Sequence, residues 1–170
     1  MAHPAAPFRS IACCLDPSPG SARALEEAVR IGTLCAAALT VVHVAEPPDL
    51  AASGVGIPDP GSAAEAARRW LDGVAAALGG AECVLLERYA AEGYPPVVQL
   101  DDWSRATAGY PPALVCSWAE ATGCDLLVAG VHRGLVQRML LGSFAGFLAR
   151  HAPCAVLLVP VSTPPTGRRR

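Results

Sequence analysis

The sequence predicts an α/β fold: an open, five-stranded parallel sheet with helices on both faces. Three observations carry this. Short apolar β-like runs alternate with longer helical patterns, the signature of consecutive β-α-β units. Strand candidates such as CDLLVAG and CAVLLVP are apolar almost throughout, as strands covered on both sides must be. The chain is 170 residues long and 52% hydrophobic, which fits one globular domain and excludes a disordered chain.

The strands are expected at Ser10 to Leu15, Leu39 to Val44, Cys83 to Tyr89, Leu126 to Gly130 and Ala155 to Pro160. Four helices fill the gaps. The first starts near Ser21, a favourable N-cap, and presents Leu25, Val29 and Gly32 at helical spacing. The second presents Ala67, Trp70, Leu71, Val74 and Leu78. A third runs from about Pro112, acceptable in a first turn, through Leu114 and Trp118 to a stop at Gly123. The fourth starts near Gly142 or Ser143 and carries Phe144, Phe147 and Leu148 to Arg150, before Pro153 blocks continuation. The aromatic positions of the last two helices fall on the faces that must cover the sheet, so core packing is their first role. His151, at the end of the fourth helix, stands where a cation suits the helix dipole.

Two long connections follow strands, on the face where α/β sheets bind ligands. Pro47 to Ser62 is a Pro/Gly/Ser loop. Gly93-Tyr94-Pro95-Pro96 recurs as Gly109-Tyr110-Pro111-Pro112, and either copy could lead into the third helix. Val97 to Pro112 reads as an insertion with little to bury apart from Trp103. The domain is expected to span residues 9–160, with a flexible N-terminus (1–8) and a flexible tail (161–170) that ends in three arginines.

Composition closes several routes. Only 16% of residues are charged, against roughly 25% in ordinary soluble domains, so self-association is expected. The net charge of −2 lacks the basic excess that nucleic-acid binding demands. No apolar run approaches the ~18 residues of a membrane span, and the N-terminus shows no export signal. A cytoplasmic protein is the expectation. There is no lysine, which excludes a Walker A loop and Schiff-base chemistry. The seven cysteines lie mostly in apolar runs without a C-x-x-C pair, so they read as small buried hydrophobes rather than as zinc ligands. Adjacent Cys13 and Cys14 should point to opposite sides of the sheet.

The candidate site lies at the strand ends. Asp16 follows the first strand and leads into Pro17-Ser18-Pro19-Gly20-Ser21. Its carboxylate can serve a ligand or simply hold an Asx-type turn. The fourth strand ends at Gly130 and runs through VHRGLVQRMLL to Gly142-Ser143, a glycine-bounded loop that delivers the chain to a helix N-terminus. Free N–H groups and the positive dipole end there suit a phosphate, and Ser143 equally suits a plain N-cap. His132 has no nucleophile or carboxylate partner in sequence and reads as a loop imidazole.

Taken together and in order, LDPSPGSARAL, VVHVAEPP, GYPPALVCSWAEATGCDLLVAG and LLGSFAGFLARHAPCAVLLVP resemble the universal stress protein family, from about Arg9 to Pro160. The resemblance implies a Rossmann-like fold with strand order 3-2-1-4-5, a homodimer and, in one subgroup, a site for ATP or another adenine nucleotide, with or without Mg²⁺. Asp16 matches the acid after strand one. Val44 matches the adenine-side residue, and Gly130, Gly142 and Ser143 match the ends of the phosphate loop. Arg133 stands where the second loop glycine belongs, and the span from Gly130 to Gly142 is one residue short. Either Gly134 replaces that glycine, with Arg133 supplying charge, or the site is degenerate. Phe144, after Ser143, completes the candidate set. No catalytic residue is expected. The function implied is nucleotide binding in a stress response, and the alternative is a nucleotide-free interaction protein of the same fold. The dimer is expected to form through strand five.

Overall fold

The computed structural model describes residues 6–45, 60–87, 111–131 and 143–160. Its elements in chain order are β1 (Ser10–Cys14), α1 (Pro19–Cys35), β2 (Ala38–Ala45), α2 (Pro60–Ala77), β3 (Glu82–Glu87), α3 (Pro111–Thr122), β4 (Leu126–Val131), α4 (Ser143–His151) and β5 (Ala155–Pro160). The five strands form one sheet in the order β3-β2-β1-β4-β5, and every pairing is parallel. Strand order therefore reverses between β1 and β4, which opens a crevice at their carboxyl ends.

Two apolar layers flank the sheet, as the unbroken apolar strands require. On one side Ile11, Cys13, Leu15, Val41 and Val128 pack with Ala24 and Ala28 of α1 and Leu71 of α2. On the other Ala12, Cys14, Val42, Leu127 and Ala129 pack with Val115, Cys116 and Ala119 of α3 and Phe147 and Leu148 of α4. Cys13 and Cys14 thus face opposite layers, as strand alternation demands. Burial pushes the Cys13 and Cys116 thiols up to about 12, and the Cys14 thiol well above its ordinary value. Phe8, just ahead of the expected domain start, packs against the first layer.

Several expectations shift in detail. The N-cap of α1 is Ser18 rather than Ser21, and its hydroxyl accepts from the Ser21 N–H. Pro19 explains the earlier start, because its fixed φ suits a first turn and its missing N–H costs nothing there. Of the expected Leu25, Val29 and Gly32, Gly32 is buried and Leu25 is half-buried against the first layer, but the fully buried face of α1 runs elsewhere. It is the small-residue row of Gly20, Ser21, Ala24, Ala28 and Gly32, while Val29 is 37% exposed. Small side chains let the helix sit low on β1 and β4, and larger ones on this row would hold it off. The helix α3 opens on the second Gly-Tyr-Pro-Pro copy, since Pro111 and Pro112 are its first residues and Pro112 is almost fully buried. Both prolines, the last two residues of the expected insertion, are thus the start of a helix, with Pro112 buried and Pro111 half-buried. The rest of that segment, with Trp103, and the loop at 46–59 lie outside the described residues, as do the ends at 1–5 and 161–170. Gly123 ends α3 as expected: its φ is +66°, and the following Cys124 N–H reaches back to the Ala119 carbonyl at 2.9 Å.

Asp125, between α3 and β4, ties the start of the chain to the sheet. Its carboxylate accepts from the backbone N–H groups of Arg9 (2.8 Å) and Ser10 (3.0 Å), and its own N–H donates to the Ser10 carbonyl (2.9 Å). The two N–H donors hold its carboxyl below the ordinary aspartate value. The folded state thus favours the charged form, so the clamp is at full strength above the unfolded pKa near 3.9 and is lost as pH falls through the lower folded value. Asp125→Ala should flatten the acid limb of a stability-versus-pH curve from urea melts. An unchanged limb would place acid sensitivity elsewhere.

Candidate functional site

A cavity of about 420 Å³ opens at the carboxyl ends of the central strands. Its walls come from every element that meets the crevice. Cys14, Leu15 and Asp16 close β1, Val42, His43 and Val44 close β2, and Ala129 and Gly130 close β4. Ser21 enters from α1, Pro111 and Val115 from α3, and Phe144 from α4. The volume lies within the roughly 300–1,000 Å³ of small-molecule sites, and a mostly apolar wall with a few polar groups is their usual chemistry.

The polar rim is built by the turn after β1. The Asp16 carboxylate accepts from the Ser18 N–H at 3.0 Å and from the Ser21 hydroxyl, while the Ser21 oxygen accepts from the Asp16 N–H at 3.1 Å. Asp16 does hold an Asx-type turn, and it does so at the mouth of the cavity. Leu15 ahead of it is fixed at both ends of its peptide. Its N–H donates to the Val42 carbonyl at 2.9 Å, and its carbonyl lies 2.8 Å from His43 Nδ1.

Of the residues singled out in the sequence, Asp16, Val44, Gly130 and Phe144 line this cavity together. Ser143 is the first residue of α4, so the expected helix N-terminus adjoins Phe144 on the cavity wall. Arg133, Gly134 and Gly142 lie outside the described residues, as does His132. Gly130 also has a structural reason for being glycine. A Cβ there would stand 2.9 Å from the Gly20 carbonyl oxygen and 3.2 Å from its carbon, so the missing side chain admits the backbone of α1. Cys14, Leu15, Ser21, Val42, His43, Pro111, Val115 and Ala129 were not singled out. Of these only His43 carried a signal, as the polar residue inside the otherwise apolar strand VVHVA.

Among the described residues, no group of three or more His, Cys, Asp and Glu side chains is placed to hold a metal ion. No helix among them is long and apolar enough to cross a membrane.

A doubly wound parallel sheet with a ligand-sized cavity at its switch point defines the general class of α/β binding proteins. Within it, the chain belongs to the universal stress protein family, whose sequence model matches residues 7–160. Three solved structures illustrate the fold it shares. A universal stress protein family member from Burkholderia pseudomallei is 24% identical with a TM-score of 0.60, over 93% of this chain and 100% of that one. A universal stress protein in complex with cAMP is 19% identical with a TM-score of 0.52, over 91% of this chain and 99% of that one. A family member from Arabidopsis thaliana with AMP bound is 16% identical with a TM-score of 0.50, over 94% and 96%. Compared with curated proteins, the sequence matches none.

The Gly20–Gly130 approach makes a specific prediction. Both neighbouring atoms are backbone and cannot swing aside, so Gly130→Ala should cost stability on the order of 1–3 kcal/mol even without any ligand. Thermal melts of the ligand-free protein measure this. A wild-type melting temperature would show that α1 can lift off the sheet without penalty.

Proposed function

We propose that the protein is a homodimeric stress-response module of the cytoplasm that binds an adenine nucleotide without turning it over. The cavity at the ends of β1, β2 and β4 is the observation that carries this reading. Its apolar walls at Val42, Val44, Val115 and Phe144 offer a purine apolar surface, and Asp16 at the mouth offers a carboxylate to donors on the base or ribose. The N-terminus of α4 at Ser143, with Gly130 near the end of β4 and Arg133, Gly134 and Gly142 between them in sequence, is the proposed phosphate end. Relatives of the same fold carry cAMP and AMP, which supports the adenine nucleotide class. ATP, with or without Mg²⁺, is the member of that class the sequence resemblance favours.

The ionisable groups on the cavity wall support binding without catalysis. Asp16 is engaged by Ser18 and Ser21, His43 by the Leu15 carbonyl, and burial keeps the Cys14 thiol protonated and a poor nucleophile. The shortened loop favours a second reading, an interaction protein of this fold without nucleotide. The dimer is proposed through β5, which lies at the sheet edge with Ala155 and Pro160 exposed and Val156, Leu157 and Leu158 half-buried. Sedimentation as a monomer at tens of micromolar, with and without ATP, would exclude it.

Calorimetric titration with ATP, AMP and adenosine tests the site. The phosphorylated ligands should bind more tightly than adenosine, and Arg133→Ala should weaken ATP more than adenosine. Ser143→Ala should cost only about 1 kcal/mol, because the helix-terminal amides remain. Equal affinities for ATP and adenosine would remove the phosphate end from the proposal, and failure of all three to bind would leave the nucleotide-free reading.

A further inference from the structure

His43 faces the layer opposite to its neighbours Val42 and Val44. Its ring stands edge-on to Trp70 of α2, with centroids 5.1 Å apart and planes at 67°, and its Nδ1 lies 2.8 Å from the Leu15 carbonyl oxygen. A carbonyl only accepts, so Nδ1 carries the proton of this hydrogen bond. Leu15 is 7% exposed, and its N–H is already committed to the Val42 carbonyl. The peptide that launches the Asp16 turn is thus held on both sides by β2, and the imidazole making one of those bonds is braced from behind by a tryptophan. A part-buried carbonyl deprived of this donor would turn toward other partners, taking with it the next residue, Asp16.

We infer that His43 is a positioning residue of the cavity: through the Leu15 carbonyl, and backed by Trp70, it fixes where Asp16 and the start of α1 stand relative to the ligand. The inference rests on the adenine-nucleotide reading above and adds to it a control point on the sheet face away from the α3/α4 layer. It makes α2 part of the binding apparatus. A change at Trp70, itself no part of the cavity wall, alters affinity by loosening His43.

The chemistry separates this role from mere packing. Leucine fills space at position 43 without donating, whereas the amide nitrogen of asparagine stands near the place of Nδ1 and can donate to Leu15. AMP titration should show His43→Leu about tenfold weaker than wild type, the loss of one part-buried hydrogen bond, with His43→Asn recovering most of the affinity. Trp70→Leu should weaken AMP in the same direction and Trp70→Phe less. Amide hydrogen exchange on the ligand-free proteins supplies the readout that needs no nucleotide: Asp16 to Ser21 should exchange faster in His43→Leu than in His43→Asn, while β4 and β5 stay protected in both. Wild-type binding of AMP together with unaltered affinity and exchange in His43→Leu overturns the inference alone. Equal weakening in His43→Leu and His43→Asn, with exchange raised across the whole sheet, overturns it in favour of plain packing. A wild-type protein that binds no AMP overturns the nucleotide reading, and the positioning role for a nucleotide falls with it.

Discussion

The rest of the molecule depends on how closely α1 lies on the sheet. Its buried row is Gly20, Ser21, Ala24, Ala28 and Gly32, and the Gly20 carbonyl sits where a side chain on Gly130 would have to be. Backbone against backbone fixes the helix relative to β4 more firmly than apolar side chains would, because no rotamer can adjust the gap. The consequence reaches the site directly. With α1 seated, its first turn closes one wall of the crevice, and Ser21 arrives at the cavity beside Asp16.

The two layers of the sheet divide the work. The α3/α4 side provides the cavity's apolar walls, and the α1/α2 side provides the turn and the bracket that hold its rim. Cysteine recurs in both layers as a residue of small volume with little polarity. Cys13, Cys14, Cys116 and Cys124 are buried free thiols, and burial raises the pKa of each. Such thiols stay protonated near neutral pH, so their part here is to allow close packing of helices on strands.

The order of elements was legible because apolar periodicity is a local property. Strand positions, the Gly123 stop and the opposite facing of Cys13 and Cys14 all follow from patterns a few residues long. Strand order was not legible in that way, since no local pattern states which strands are neighbours; it came from the resemblance of whole segments to a family. The face of α1 was legible only in part, at Gly32 and Leu25 but not at Val29, for a related reason. Periodicity marks where large apolar residues recur, and here close approach selected a row of small ones that hydropathy barely distinguishes. Pro111, Val115 and His43 reach the cavity through tertiary contacts whose partners lie tens of residues away, so nothing beside them in sequence announces it. Gly130 lies at the cavity and against the backbone of α1 at once. A glycine at a strand end signals close approach, and only the three-dimensional arrangement says what approaches.

Asp16 shows why a turn role and a binding role need not compete. The sequence allowed its carboxylate either to hold the turn or to meet a ligand, and the structure has it accepting from Ser18 and Ser21 at the cavity mouth. A carboxylate already oriented by its own turn has less rotational freedom to surrender when a ligand arrives, so the entropic cost of recruiting it is reduced. The local role therefore precedes the proposed binding role and would prepare it. The same logic extends outward from Asp16 to Leu15, from Leu15 to His43, and from His43 to Trp70, each group narrowing the freedom of the one nearer the cavity.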